Sequence, residues 1–253
     1  MKSLQTLAAS AVLAVSANTL AAPVLPGPET PLQTIIDSLY GCTAVGSSPA
    51  CSPVSAAPKV NTDQSGAELF QIEASGGSIA TMIIQFAGNA GFNSFGIYDS
   101  GNTATKLQLF SGGTLQGDTV GVKSNSLNRF RLLGTNTWVQ FSSATFGYYL
   151  DGPNGTFYSL SSQNNGNTQM VSYRGDGDTI QLPDNASGVW GPSSYILAWE
   201  DTSLSNGSDK DYNDMVVYVE SVTQVPEPGS LALLGLGLAG LVAVARRKQK
   251  TIG

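Results

Sequence analysis

Short apolar runs that recur about every ten residues from Glu68 onward constrain the fold of this chain more than any other feature. Each run is bounded by Gly, Asn or Asp, which is the pattern of strands joined by turns. Many short strands at this spacing predict an all-β protein, an antiparallel β-sandwich of jelly-roll-like form. The predicted strands are Leu69–Ala74, Ile79–Phe86, Ser94–Tyr98, Thr105–Phe110, Thr119–Lys123, Asn128–Leu133, Thr137–Ser142, Thr145–Leu150, Thr156–Leu160, Gln169–Tyr173, Thr179–Leu182, Tyr195–Glu200 and Met215–Glu220.

Two details of this pattern predict where particular strands lie. The turn sequence Asp151–Gly155 separates two aromatic runs, Tyr148–Leu150 and Phe157–Tyr158, so we expect a hairpin there. In Ile79–Phe86 and Met215–Val219, residues of both parities are largely apolar. These two runs should therefore be central strands that are buried on both faces.

Residues 23–60 are predicted to form a short helix followed by a linker that carries a disulfide. Thr30 suits the helix cap, Pro31 suits the first turn, and Gly41 suits the end of the helix. Apolar residues recur between them at helical spacing, so we expect the helix to be amphipathic and to pack on the sheets.

Cys42 and Cys51 are the two cysteines of the sequence. In an exported chain we expect them to pair within one molecule, which would close a short loop and stabilise the fold by roughly 2.5 to 3 kcal/mol. Free thiols that carry a lipid or an intermolecular bond are the alternative. Two isolated cysteines make a poor metal site.

Residues 1–22 have the build of a secretory signal peptide. Lys2 provides a charged start, and Leu7–Val15 is an apolar core. Small residues follow this core, and we expect cleavage after Ala21 or Ala22.

Residues 225–250 combine a proline-rich element, an apolar run and a basic cluster, in that order. Ser230–Ala245 is uncharged and would be about 24 Å long as a helix, slightly short of a comfortable membrane span. The basic cluster should stay on the cytoplasmic side. The residues that define the pattern are Pro226, Glu227, Pro228, Arg246 and Arg247.

This order closely resembles the PEP-CTERM sorting tail of Gram-negative bacteria. The resemblance implies a transmembrane sorting helix, a transient stay at the inner membrane and processing by an exosortase-type enzyme. It also implies export to the cell surface or the extracellular space, often in species that make exopolysaccharide. A permanent single-span anchor is the alternative, since it would have the same topology without cleavage.

Charge and composition exclude several functions. Without Lys2 and the tail, the remaining chain has 17 acidic and 7 basic residues, a net charge of −10 that argues against nucleic-acid partners. The sequence contains no histidine, so Ser-His-Asp, Cys-His and histidine-metal sites are excluded. The 29 glycines and the low proportion of charged residues suit an extracellular β-protein with long polar turns.

A dense acidic cluster lies between Ala198 and Glu220. Bunched carboxylates repel one another, so they are either fully solvated or held by a cation, and Ca²⁺ binds several oxygen ligands placed close together. We place residues 209–214 in a loop between the last two predicted strands, with two acids reaching in from the end of the first strand. The candidate Ca²⁺ ligands are Glu200, Asp201, Asp209, Asp211, Asn213 and Asp214.

The spacing of this cluster also mimics an EF-hand, with Glu220 at the twelfth position. Asp214, however, stands where the sharp turn needs Gly, and Met215–Glu220 is strand-like. As a strand, this run would place Glu220 about 20 Å from Asp214, so we reject the EF-hand. The alternative to a metal site is an Asx-turn loop whose acids face water.

The pattern Trp-Glu-Asp at 199–201, followed by Gly207–Asp214 and an apolar strand, resembles the C-terminal signature of the bacterial domain-of-unknown-function 4114 family. Ser78–Asp99 resembles the early strands of that family, so the similarity would cover roughly residues 60–221. The resemblance implies a β-rich extracellular module that could bind calcium and has no established reaction.

Two further patterns predict less. Arg174-Gly175-Asp176 is expected to be an ordinary turn, although Asp176 and Asp178 could supply oxygens to a metal. Aromatic residues could form a sugar-stacking platform, but aromatics spaced along strands are usually core. They are Trp138, Phe141, Phe146, Tyr148, Tyr149, Phe157 and Tyr158.

The sequence thus favours a non-catalytic surface or matrix module stabilised by Ca²⁺, with its β-sandwich domain over residues 61–222. The first alternative is a carbohydrate-binding module that acts on exopolysaccharide. The second, a glycoside hydrolase, would use two of the acids such as Glu200 and Asp209.

Overall fold

The structure of the chain is a computed structural model that describes residues 21–42, 49–73, 77–85 and 91–226, with the backbone alone for 82–85. The predicted signal peptide and the predicted transmembrane sorting helix lie outside the described residues. In the part of the chain that the structure describes, no helix has the length and apolar character needed to cross a membrane.

The described residues contain one α-helix, α1 (Leu32–Ser38), and fifteen strands. The strands are β1 (Leu69–Ile72), β2 (Gly77–Gln85), β3 (Ser94–Asp99), β4 (Asn102–Phe110), β5 (Thr119–Ser124), β6 (Arg129–Leu132), β7 (Val139–Gln140), β8 (Phe146–Gly152), β9 (Gly155–Tyr158), β10 (Met170–Arg174), β11 (Thr179–Gln181), β12 (Ser187–Val189), β13 (Tyr195–Trp199), β14 (Met215–Glu220) and β15 (Val222–Val225).

These strands form two large antiparallel sheets. The first sheet has the order β15-β1-β8-β3-β4, with β9 also paired to β8. The second sheet has the order β10-β13-β14-β2-β5-β6-β7, and β11 and β12 form a separate hairpin. The fold is therefore mostly β and antiparallel with one short helix, as the sequence predicts.

The two sheets share an aromatic core. Phe70 of the first sheet packs edge-on against Tyr195 of the second, with ring centroids 5.2 Å apart. Phe95 and Trp199 make a similar contact at 6.0 Å. Edge-to-face pairs of this kind stabilise a core beyond the area that they bury.

The second sheet is also covered on its other face over β10, β13 and β14. In β13 the side chains of Tyr195, Leu197 and Trp199 enter the core between the sheets, because alternate residues of a strand point to opposite faces. Ile196 and Ala198 point the other way, into a second core. That second core is completed by residues 22–40, including α1, by Ala57 and Val60, and by Ile180 of β11 and Trp190.

Most of the sequence-based expectations about the fold are confirmed. All thirteen predicted strands are present, and Met215–Val219 is buried at every position. The hairpin at Asp151–Gly155 closes β8 onto β9 through the Gly152–Gly155 pair. Cys42 and Cys51 form a disulfide with Cα atoms 5.3 Å apart.

Two local predictions are wrong, and two strands were missed. The helix begins at Leu32, and its cap position is Pro31 without a side-chain hydrogen bond, so Thr30 does not cap it. Ile79 is 41% exposed because the cover on the second sheet leaves this part of β2 open, whereas Ala80 and Thr81 are buried. Strands β12 and β15 were not predicted.

Candidate functional site

The acidic cluster lies where β13 ends and β14 begins. Trp199 pairs with Met215 in the antiparallel ladder, so the residues that follow β13 and those that precede β14 meet at one edge. Glu200 comes directly after Trp199, and Asp214 comes directly before Met215. The predicted loop between two strands is therefore the observed arrangement.

The loop before β14 has an unusual backbone. Lys210 and Tyr212 both have positive φ angles, of 65° and 55° respectively, which non-glycine residues rarely adopt. Tyr212 is buried in the second core, and its hydroxyl donates a hydrogen bond of 2.7 Å to the carbonyl oxygen of Thr168. This buried aromatic side chain anchors the loop and so fixes the acids on either side of it.

Three carboxylates converge in this loop. Glu200, Asp209 and Asp211 each offer one oxygen, and these oxygens all lie within 4.8 Å of one another. Glu200 is 0% exposed and Asp211 is 1% exposed. Asp209 is exposed, so the group opens to solvent on its side.

Hydrogen bonds hold the two buried carboxylates in place. Glu200 Oε1 accepts a bond of 2.6 Å from the amide of Tyr212, and Glu200 Oε2 accepts one from the hydroxyl of Ser208. Asp211 Oδ2 accepts a bond of 2.8 Å from Asn213 Nδ2. The geometry is thus set by donors in the same loop.

The electrostatics of the cluster are unfavourable for three negative charges. Burial raises the pKa of Glu200 most, and the charges of Asp209 and Asp211 raise it further, while hydrogen bonds lower it. Burial and Asp209 likewise raise the pKa of Asp211. A cation between these carboxylates would remove both penalties.

Asp201 and Asp214 lie beside this group and are used differently. Asp214 Oδ2 accepts a hydrogen bond of 2.8 Å from the amide of Asp201, and burial raises the pKa of Asp214 to about 8. Asp201 Oδ2 accepts a bond of 2.8 Å from the side chain of Asn93. Neither acid belongs to the group of oxygens within 4.8 Å of one another.

Asn213 adds an oxygen without a partner. Its side chain is 0% exposed, and its Nδ2 donates to Asp211 and to the carbonyl oxygen of Thr30. Its Oδ1 is buried and accepts no hydrogen bond from any residue that the structure describes. An unsatisfied buried amide oxygen is costly, and a cation ligand is one way to satisfy it.

The oxygen atoms of this cluster are suitable ligands for a hard divalent cation. Ca²⁺ prefers carboxylate and amide oxygens in an irregular shell, and water can complete it on an open side. Glu200, Asp209 and Asp211 supply the carboxylates, Asn213 an amide oxygen, and the exposed side of Asp209 leaves room for water. Glu220 lies at the far end of β14, opposite Ile79, so the rejection of an EF-hand agrees with the structure.

Sequence reasoning missed several residues of this site. Gly27 and Glu29 come from the segment before α1 and lie close to the acids. Asn93 binds Asp201 from the loop before β3. No local pattern marks these residues, although Pro26-Gly27-Pro28-Glu29 is a stiff segment with an acid at its end.

The other two patterns have ordinary structural roles. Asp176 and Asp178 form a turn outside the acidic cluster, and Asp178 Oδ2 accepts a bond of 3.2 Å from the hydroxyl of Tyr40. Most of the predicted stacking aromatics are buried in the fold. These are Phe141, Phe146, Tyr148, Tyr149 and Phe157.

Comparison with known proteins gives two matches. Residues 224–248 match the PEP-CTERM protein-sorting motif, and residues 129–222 match a domain of unknown function, DUF4114. Both resemblances noted in the sequence are confirmed, although Ser78–Asp99 lies outside the second match. No curated protein matches the chain.

The sorting motif implies a secreted protein that passes through the membrane toward the cell surface and is processed by an exosortase. The acidic site lies within the matched domain, except for Gly27, Glu29 and Asn93.

Proposed function

We propose that this protein is an exported, non-catalytic surface or extracellular-matrix module whose jelly-roll-like β-sandwich is stabilised by Ca²⁺. The observation that carries the proposal is the convergence of Glu200, Asp209 and Asp211 within 4.8 Å, two of them buried. The Oδ1 of Asn213 has no hydrogen-bond partner among the described residues and supports the proposal, because the same amide binds Asp211 and so adds a neutral oxygen beside the carboxylates.

Calcium would act here as a structural ligand. The site joins the end of β13 to the start of β14, two adjacent strands of the second sheet. A cation that holds the loop ends would fix the register of these strands and so hold both cores together. The export that the sorting motif implies would bring the site to extracellular calcium, where modules bind with dissociation constants of about 10⁻⁴ to 10⁻³ M.

The site suits a structural role better than a glycosidase. Glycoside hydrolysis needs two carboxylates that face a substrate across a cleft. Glu200 is fully buried, and both of its oxygens accept hydrogen bonds from the loop. Assays over a panel of polysaccharides should therefore show no hydrolysis by the protein.

The test is metal analysis and calorimetry on the protein purified as its host exports it. We expect about one bound calcium per chain after dialysis against millimolar calcium. Titration of chelator-treated protein should show saturable binding that Glu200→Gln weakens. If neither method finds calcium at millimolar concentrations, the acids form a solvated turn and the proposal fails.

A specific surface favours the second candidate, a module that binds acidic exopolysaccharide. Lys123 and Arg131 are directly opposite each other in β5 and β6, and like charges so placed destabilise a sheet. Arg129 lies on the same outer face, because Phe130 between the two arginines points into the core. The guanidinium of Arg131 stacks on Trp138, with 4.9 Å to the ring centroid.

This basic face would bind carboxylates of an acidic polymer, since arginine pairs with carboxylates in bidentate fashion. Affinity electrophoresis in polygalacturonate should show retardation that Arg129→Ala with Lys123→Ala removes. Lys106→Ala, on β4 of the first sheet, is the matched control. Equal retardation of both variants, or equal binding to a neutral glucan, would exclude this candidate.

We also infer that the exosortase removes the end of the tail. The Pro226-Glu227-Pro228 element stands directly before the apolar run, so the mature protein should lack Leu231–Gly253. Mass spectrometry of extracellular material is the measurement. An intact C-terminus would instead support a permanent anchor.

A further inference from the structure

The segment before α1 runs across the acidic site and is attached to it at two points. The amide of Leu25 donates a hydrogen bond of 2.8 Å to the carbonyl oxygen of Lys210. Five residues later, the carbonyl oxygen of Thr30 accepts a bond of 3.0 Å from Asn213 Nδ2. Residues 25–30 therefore bridge the 209–213 loop.

Gly27 lies between these two attachments and directly against the carboxylates. A Cβ added at Gly27 would be 1.8 Å from Asp211 Oδ2 and 2.9 Å from Asp209 Oδ2. The φ angle of Gly27 is not positive, so the backbone itself could accept another residue. What requires glycine here is the close approach of the segment to the acids.

The same segment brings a further negative charge to the site. Glu29 is exposed and stands between Gly27, which lies against Asp211, and Thr30, whose carbonyl oxygen accepts from Asn213, so its side chain is within reach of the acids. The carboxylate of Glu29 and the cluster therefore repel each other. Without a counter-charge this repulsion opposes the two hydrogen bonds that hold the segment down.

We propose that the segment is part of the cation site: Glu29 supplies an additional carboxylate, directly or through a bound water, and the cation clamps residues 25–30 onto the 209–213 loop. This inference rests on the proposed function, because it needs a cation at the site. Asn213 supports this placement, because its Nδ2 joins Asp211 to Thr30 and its buried Oδ1 has no partner in the part of the chain that the structure describes. That orphaned oxygen thus lies at the seam between segment and loop.

The clamp is confined to residues 25–30, because other contacts hold the chain on both sides. The side chain of Asn61 both donates to and accepts from the backbone of Val24, and that of Gln64 does the same with Ala22. On the other side, α1 is fixed by its apolar residues in the second core. Loss of the cation should therefore release residues 25–30 and leave the fold intact.

Hydrogen exchange of the Leu25 amide directly measures how stably residues 25–30 are attached to the loop. We expect its exchange to slow about tenfold in calcium relative to chelator, a typical coupling between two linked contacts. The amide of Ser65, which donates to Ser172 at 2.7 Å away from the acids, should exchange equally in both conditions. Nuclear magnetic resonance on the protein as exported measures both amides.

Two variants test the ligand and the close approach separately. Glu29→Gln keeps the size of the side chain but removes its charge, so calcium affinity should fall about fivefold. Gly27→Ala should abolish the calcium-dependent protection of Leu25, because its methyl group would displace the segment from Asp211. Asp37→Asn is the control, since this acid lies on α1 and binds Gln33.

The outcomes separate this inference from the proposed function. If calcium binds but Leu25 exchange does not change and Glu29→Gln binds normally, the clamp is wrong while the calcium site stands. If Asp37→Asn weakens calcium binding as much as Glu29→Gln, the loss reflects the net charge of the protein and the clamp is wrong. If no calcium binds to any form, the proposed function itself fails.

Discussion

Two aspartate-rich turns of this protein look alike in sequence and differ in their surroundings. Asp209 and Asp211 are two residues apart in one turn, as are Asp176 and Asp178 in the other. In the first turn, Asp211 is buried and shares a compact group of oxygens with Glu200.

In the second turn, Asp176 is exposed, and its Oδ1 accepts a hydrogen bond from the amide of Asp178, as in an ordinary Asx-turn. Asp178 accepts a hydrogen bond from the hydroxyl of Tyr40. The spacing of acids therefore does not distinguish a candidate cation site from a solvated turn. The two turns are distinguished by the burial of their acids and by a buried oxygen that lacks a hydrogen-bond partner among the described residues. Both properties depend on distant parts of the chain.

The largest expected difference between the turns is in calcium-dependent stability. Calcium at about a hundred times its dissociation constant adds about 2.7 kcal/mol, which raises the melting temperature of a domain of this size by several degrees. Asp211→Ala should lose most of that rise, and Asp176→Ala should keep it. Calorimetric melts in calcium and in chelator measure the rise, and equal behaviour of the two variants would contradict the comparison.

The next largest effect should be a pH dependence in chelator. The folded protein holds the pKa of Asp214 at about 8, against an ordinary value of 3.8, and raises that of Glu200 as well. Between these values the folded state binds more protons than the unfolded state, so the free energy of unfolding falls as pH rises. This contribution is complete below about pH 4 and is lost as pH passes through about 8.

Urea unfolding between pH 5 and pH 8 should therefore show a loss of about 2 kcal/mol in chelator. Calcium should flatten this slope, because its positive charge favours the ionised forms of Glu200 and of the neighbouring Asp214. Asp214→Asn should flatten it too, whereas Asp176→Asn should not. A stability that rises with pH in chelator would show that the acids are not penalised by burial.

A comparison with magnesium should distinguish specific binding of the cation from non-specific screening of the carboxylate charges. The expected difference in stability is smaller than in the preceding tests. Mg²⁺ demands a regular octahedron and loses water reluctantly, so we expect a stabilisation of about 1 kcal/mol or less at the same concentration. Carboxylates that merely face water would respond equally to both ions. Melting temperatures in matched chloride salts make this comparison, and Asp176→Ala should leave the difference between the ions unchanged.

The smallest effect concerns the second turn alone. Tyr40→Phe removes the hydrogen bond to Asp178 and should cost about 1 kcal/mol. It should leave the calcium-dependent shift in melting temperature unchanged, because this turn is not part of the site. A changed calcium shift in Tyr40→Phe would mean that the two turns are coupled.

Much of the fold could be predicted from the sequence because strands and turns leave local patterns. The predicted strands differ from the observed ones only at their ends, of which Ala74 and Phe86 lie outside the described residues. The two strands that were missed have weak patterns. Strand β12 is the three residues Ser187–Val189 with a glycine at its centre, and glycine is rare in strands. Strand β15 directly follows Ser221, whose φ of 58° interrupts the extended chain.

The candidate site could be predicted only in part, for a physical reason. The acids of the 209–214 loop are close together in sequence, so their clustering was visible. The segment that covers them is about 180 residues away, and Gly27 is needed there only because Asp211 lies beneath it. Contacts of this kind belong to the tertiary fold, and composition and spacing carry no sign of them.

Strand β15 has a consequence for the maturation of the protein. Its last residue, Val225, is paired with Leu69 at the edge of the first sheet, and the sorting motif begins at residue 224. The recognition sequence therefore starts inside the folded body, and Pro226 follows the last rung of the ladder. A protease that binds residues before Pro226 must first separate β15 from β1. The rate of peptide-bond cleavage would therefore report the local stability of this edge strand.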